Sequence, residues 1–309
     1  TFSPVAKERC AQMVADLLAA FRVRLEQLAW MSAETRARAL EKLAAFKTKI
    51  GYPDRWRDYA GLELGPGSYV ENHMRATAFE LAWNLAKAGR PVDKGEWGMP
   101  AYLVNAGYNP TNNDITFPAG ILQPPFFSER YDDALNYGAM GAVIGHEITH
   151  GFDDEGSRFD AQGNFANWWT EADRAEFERR AAVVEQQFSE YVAVDDLRVN
   201  GKLTLGENLA DLAGLTIAYD ALLLRQAHQR VAPLDGFTPS QRFFIAWARA
   251  WRSNDTPENR RLLVQTNPHA PADLRVLGPL SNLQAFQDAF DLPDDAPMLR
   301  PPAQRALIW

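Results

Sequence analysis

The stretch "VIGHEITHGFDD", residues 143–154, puts His146 and His150 four positions apart with Glu147 beside the first. On an α-helix, residues four apart lie roughly 40° apart around the axis and one turn along it. Both imidazoles then point the same way and can reach one ion, while Glu147 is offset to the side, where it can bond a water without ligating the metal. The pattern predicts a zinc-binding helix. The bland alternative is two core histidines sharing a helix face.

A zinc site of this kind needs a third protein ligand and an open fourth position. The best candidate lies in "TLGENLADLAG", residues 204–214, where Glu207 and Asp211 are again four apart and share a helix face. Glu207 would be the ligand. Asp211 would accept the free ring N–H of a ligating histidine, His146 in the first instance, fixing its tautomer and raising its basicity. The competing reading is a capping box, Thr204 to Glu207, in which the glutamate only binds a backbone amide. Asp153, three residues after His150, is either the acceptor for that histidine or a plain carboxylate at a helix end.

Around this motif the texture is that of a mostly helical chain with a small strand region in its first half. Apolar residues recur at helical spacing from Pro4 to about Trp30. Ser32 reads as the cap of a second helix to about Lys49, stopped by "GYPD", and a third spans Tyr69 to Lys87. These three are expected to pack as one helical layer. Tyr102–Tyr108 and Asp114–Phe117 flank an Asn/Pro/Gly-rich turn and predict a hairpin. Helix returns from about Asn136 to Phe152, from a Thr170 cap to about Glu190, and over 206–228, 239–253 and near 281–290.

Composition narrows the function classes. The 309 residues are 46% apolar and 23% charged, as in a globular chain with a sizeable core. A formal charge of −8, with no basic run, argues against nucleic acid and anionic membrane surfaces. No apolar stretch approaches a membrane span. Cys10 is the single cysteine, so no intrachain disulfide can form. The opening "TFSPVAKERC" does not read as a signal peptide.

"VNAGY" (104–108), "FPAGILQPPFF" (117–127), the zinc motif and "GENLADLAG" (206–214), in that order, resemble the neprilysin-like M13 family of zinc metallopeptidases. The resemblance extends from "LAWMSAETRARALEKL" and "IGYPD" near the start to the terminal Trp309. It implies a predominantly helical α+β fold, a thermolysin-like zincin catalytic domain with a small mixed sheet and the HExxH helix. It implies one Zn²⁺ held by His146, His150 and Glu207, with Glu147 as catalytic base and Asp211 in a supporting or proton-donor role. The family's substrate-gripping Asn-Ala falls on Asn105 and Ala106, on an edge strand where an extended peptide can add by β-augmentation. Within "NPHAPADLRVLG" (267–278), His269 takes the place of the transition-state stabiliser and Arg275 that of a residue holding substrate carbonyls. Ile121, Phe126, Val143 and Trp251 match positions lining the pocket for the residue after the scissile bond, although each is equally suited to a core.

The resemblance therefore implies an endopeptidase acting on small peptides, on the amino side of bulky hydrophobic residues; the alternative is a catalytically silent zinc-containing peptide-binding module. Gly107 stands where the family has an aromatic, Ala213 where it often has glycine, and the stapling cysteines of animal members are absent, which suggests a bacterial-type member. An extracytoplasmic location, periplasmic or secreted, is expected. Family members also carry a large N-terminal portion that builds a lobe over the active site. The expected organisation is thus a helical segment, 1–95, bridging towards such a lobe or second chain, followed by a catalytic domain, 96–309.

Overall fold

A computed structural model describes residues 2–227 and 231–309. In chain order the elements are α1 (Pro4–Gln27), α2 (Ala33–Ala44), β1 (Lys47–Gly51), α3 (Tyr69–Leu85), β2 (Gly107–Asn109), β3 (Asp114–Pro118), α4 (Asp133–Asn136), α5 (Ala142–His150) and α6 (Glu171–Glu190). There follow β4 (Val192–Val194), β5 (Leu197–Arg198), α7 (Leu205–Gln226), α8 (Pro239–Ala250), α9 (Pro257–Thr266), α10 (Ala272–Leu280) and α11 (Gln284–Phe290). The expected α+β fold, mostly helix with a small mixed sheet, is the fold observed. Residue 228, the expected end of the seventh helix, lies outside the described residues.

The sheet has the order β1-β3-β2, with β1 parallel and β2 antiparallel to β3. The second helix was expected to run to about Lys49; instead α2 stops at Ala44 and residues 47–51 form β1. The strand forms by parallel pairing with the distant β3 and ends at Gly51, whose φ of +79 is a left-handed conformation glycine adopts without strain. β2 is shorter than expected. Tyr102 to Ala106 form an irregular lead-in, because the turn at 101–103 packs on Gly120, whose β-carbon would lie 2.4 Å from the carbonyl oxygens of Tyr102 and Leu103.

α5 and α7 cross at the centre, flanked by α1. Their backbones meet at two glycines. A β-carbon on Gly145 would stand 2.5 Å from the carbonyl oxygen of Gly214, and only glycine permits that approach. The run into α5 passes through a π-helical turn, Tyr137–Gly141, where Gly138 lies against the carbonyl of Phe243 on α8. Just past α5, Phe152 is fully buried, edge-on to Phe21 at 5.1 Å and stacked on Phe46 at 6.1 Å, which pins the end of the motif helix to the core.

One contiguous core runs from Ala6 to Trp309 and takes in α1, α2 and β1. From Tyr52 to Asn112, by contrast, no residue is buried. α3 lies in this excursion, so it does not join α1 and α2 in the helical layer expected from the sequence. Its spacing is helical and it carries a full capping box at Ser68 and Glu71, yet Tyr69, Val70, Met74, Leu81 and Leu85 are all exposed. α9, α10 and the β4–β5 hairpin were not anticipated. Among the described residues, no helix is long and apolar enough to cross a membrane.

Candidate active site

α5 presents His146 and His150 on one face, and α7 brings Glu207 against them from its first turn. Thr204 makes no capping bond to that turn; its hydroxyl donates to the Asn200 carbonyl and accepts from the Asn208 side chain. The capping-box reading of Glu207 therefore fails, and the carboxylate is turned to the histidines. One potential ligand atom from each of His146, His150 and Glu207 lies within 4.8 Å of the other two.

The donor set fits a cation. His146 Nδ1 bonds Asp211 Oδ1 at 2.8 Å, and His150 Nδ1 bonds Asp153 Oδ2 at 2.7 Å. With Nδ1–H donating to a carboxylate in each ring, the two Nε2 atoms present lone pairs to one another only 3.0 Å apart. Glu207 Oε2 lies 3.2 Å from one of them and 3.7 Å from the other, and is left buried without an aligned donor. Converging acceptors of this kind are costly unless a positive charge, a proton or a metal ion, joins them. Nitrogen, nitrogen and carboxylate oxygen are a ligand set that suits zinc with a fourth position open.

The charges around these ligands are arranged in depth. Asp211, 1% exposed, accepts two bonds from Arg275, Nε to Oδ2 and Nη2 to Oδ1, both 2.7 Å. Burial would raise the Asp211 pKa, but Arg275 and His146 hold it below the ordinary carboxylate range. Burial opposes protonation of His146, yet Asp211 and Glu207 overcome it and lift its pKa to about 10, which marks a strongly basic imidazole. Glu147 is buried beside them; desolvation raises its pKa, with His146 and His150 pulling the other way. A carboxyl poised upward is suited to taking and returning a proton.

A cavity of about 370 Å³ opens over this cluster. Asn105, Ala106, Ile121, Phe126, Val143, His146, Glu147, Asp211, Trp251, His269 and Arg275 all line it, so the fold gathers these candidates at one place. His150 and Glu207 complete the metal cluster beneath, and Asp153 sits behind His150. Asn105 and Ala106 precede β2 rather than lying in it, at the outer side of the sheet. His269 is held by Asn267, whose side-chain oxygen receives both its backbone N–H (2.9 Å) and its ring Nδ1 (2.8 Å). Its Nε2 stands 3.0 Å from Glu207 Oε2. The Arg275 guanidinium lies 3.8 Å from the Trp251 ring centroid, a cation–π contact that holds it at the cavity wall.

The sequence pattern describing peptidase family M13 matches residues 105–306, and a second pattern of that family matches 1–53. The chain belongs to peptidase family M13. It is 42% identical, over 98% of its length, to an endothelin-converting enzyme homolog of Locusta migratoria, and 38% identical, over its whole length, to neprilysin-3 of Drosophila melanogaster. These alignments cover 43% and 40% of the relatives, so the chain spans less than half the length of the curated proteins it matches. Among solved structures, a Mycobacterium tuberculosis zinc metalloprotease in complex with inhibitor superposes with a TM-score of 0.93 at 43% identity, covering 98% of this chain and 47% of that one.

The two M13 matches leave residues 54–104 uncovered, nearly the same stretch that buries nothing. Within the cavity, the M13 chain also shows residues that the sequence did not single out. Trp247, Leu263, Val264 and Asn267 also line it. The available signal was Thr256-Pro257, a cap followed by proline at the first helical position, which marks the start of α9.

Proposed function

We propose that this chain forms the catalytic part of a zinc-dependent endopeptidase that hydrolyses small peptides on the amino side of bulky hydrophobic residues. The observation that carries the reading is the buried Glu147 beside three convergent ligands, on the floor of a cavity with apolar walls. A site that only captured peptides would have no need of an acid–base group there, which favours hydrolysis over silent binding.

His146, His150 and Glu207 would hold one zinc ion, which when bound supplies a Lewis acid and makes water more acidic. Glu147 accepts a proton from the attacking water and returns it to the leaving amine. With both ring nitrogens protonated, His269 donates from Nε2 to the carbonyl oxygen as that oxygen gains negative charge, an interaction that strengthens towards the transition state. Asn105 and the carbonyl of Ala106 take the peptide backbone in extended form beside β2, as a strand added to a sheet edge. Arg275 bonds Asp211 through Nε and one terminal nitrogen, so its other terminal nitrogen is the one offered to a substrate carbonyl. Ile121, Phe126, Val143 and Trp251 form the apolar pocket for the side chain after the scissile bond, and Asp211 and Asp153 orient the two histidines.

Because its relatives are more than twice as long, the exposed face of residues 52–112 is proposed to meet the remainder of a longer protein or a second chain, consistent with the bridging role expected of 1–95. An extracytoplasmic location is proposed on the resemblance to bacterial-type members alone.

The deciding experiment exposes the zinc-loaded full-length protein to a mixed peptide library and maps the cuts by mass spectrometry. Cleavage before Phe, Leu, Ile or Val, abolished by a chelator, is the expected result. Absence of cleavage, or cuts without regard to the following side chain, would overturn the activity or the specificity respectively.

A further inference from the structure

Lys42 is a charged side chain that the proposed reaction does not use, yet it is 1% exposed. It projects from α2 and donates from Nζ to the carbonyl oxygens of Gly156 and Phe159, each at 2.7 Å. The rings of Phe152, Tyr108 and Trp168 stand 5.6, 5.9 and 5.9 Å from the same nitrogen. Burial pulls its pKa down to about 7, against the upward pull of Asp153 and Asp160. Enclosing an ammonium group is expensive unless it is partnered, and a helix that needed only packing here would be served by Leu or Met.

The partners of Lys42 lead to the metal cluster. The Gly156 residue is held at both polar groups, its carbonyl by Lys42 and its N–H by Asp153 Oδ1 at 2.7 Å. The other oxygen of Asp153 meets His150 Nδ1. Gly156 also packs so closely that a β-carbon would lie 1.7 Å from the carbonyl oxygen of His150. A line of bonds therefore runs from Lys42 through Gly156 and Asp153 to His150, and Lys42 itself touches no ligand.

We infer that Lys42 is a positioning residue: by gripping the 156–159 backbone it holds Asp153 on His150 and so fixes the pose of that imidazole towards the metal. The inference rests on the zinc reading of the site. It differs from a general packing role because the effect must pass through Asp153. Groups beyond the nearest layer of a metal site still tune affinity, since the imidazole's orientation depends on what its second nitrogen bonds.

The test measures zinc affinity by chelator competition and the visible spectrum of the cobalt-substituted site in the full-length protein, for wild type, Lys42→Met, Lys42→Gln, Asp153→Asn and the Lys42→Met/Asp153→Asn double variant. Lys42→Met is expected to weaken zinc about 10-fold and shift the cobalt bands. Lys42→Gln, which keeps one donor, should fall between. In the Asp153→Asn background the Lys42 change should add less than about twofold, because the path is already cut. Unchanged zinc affinity and cobalt spectrum in either Lys42 variant would overturn the inference, as would losses that simply multiply in the double variant. Lys42→Gln decides the question if Lys42→Met does not fold. A wild-type protein that binds no zinc sinks the site reading itself, whereas zinc binding indifferent to Lys42 sinks this inference alone.

Discussion

Gly214 of α7 presses against the backbone of His146: a β-carbon on it would stand 2.4 Å from the His146 amide nitrogen. Asp211 and Glu207 lie one and two turns before it on α7, so this contact sets how far both carboxylates reach towards α5. Gly214→Ala must spread the two helices. The expected cost is about 1–3 kcal/mol of unfolding free energy, together with weaker zinc binding. Denaturant melts and chelator competition measure both, and an alanine variant matching wild type in each would show that the crossing has slack.

Asp211 serves two partners at once, the ring of His146 and the guanidinium of Arg275. Asp211→Asn keeps the shape but loses the charge that pairs with Arg275 and polarises the imidazole. Zinc affinity is expected to fall about 10- to 100-fold. The KM for peptides should rise as well, since Arg275 loses its anchor. Titration with a chelator and steady-state kinetics at saturating zinc separate the two effects; a loss in neither removes Asp211 from the positioning role.

Glu147→Gln leaves His146, His150 and Glu207 in place and removes only the group that carries the proton. Zinc should stay stoichiometric while kcat falls by about 10² to 10⁴. Metal content and turnover on the same preparation provide the check. A fully active glutamine variant would falsify the assignment of the base.

Asp173, buried near the start of α6, offers a test of stability against pH. Burial opposes ionisation there, but bonds from Ser32, Thr35 and Thr170 hold its pKa down at about 2. A carboxyl depressed below its unfolded value stabilises the fold above the unfolded pKa and loses that contribution as pH falls. The contribution should therefore be complete above about pH 4 and vanish between about 4 and 2. Asp173→Asn should cost about 1–3 kcal/mol at neutral pH and flatten this acid limb. Equilibrium unfolding of both proteins from about pH 7 down to about pH 2 is the measurement.

How much of this was readable in advance depended on whether the signal was local. The spacing of His146 and His150, the Thr170 cap and the pairing of Glu207 with Asp211 are properties of a few consecutive residues on a helix, and all appear where expected. β1 was misread because residues 47–51 become a strand through β3, a partner more than 60 positions away, which no nearby residue announces. Asn105 and Ala106 were expected on an edge strand but precede it, lining the cavity from a lead-in that packs on Gly120. Lys42 gave no sign at all: a lysine in a helix reads as solvated until the carbonyls it holds are seen. Asp153 was open between two readings, and its 2.7 Å bond to His150 Nδ1 supports the one that pairs it with the histidine.

The excursion from Tyr52 to Asn112 has a consequence for how the chain survives damage. It leaves the core at Gly51 and re-enters at Asn113, at opposite ends of the parallel pair of β1 and β3, where Gly51 faces Pro118 and the Asn113 carbonyl accepts from the Lys47 amide. A protease that cuts within it severs the backbone without removing a buried side chain. The two fragments would remain zipped by the parallel strand pair and by α1 against α7. A nicked molecule can thus run as two bands under denaturing conditions and as one particle under native ones, its metal cluster undisturbed.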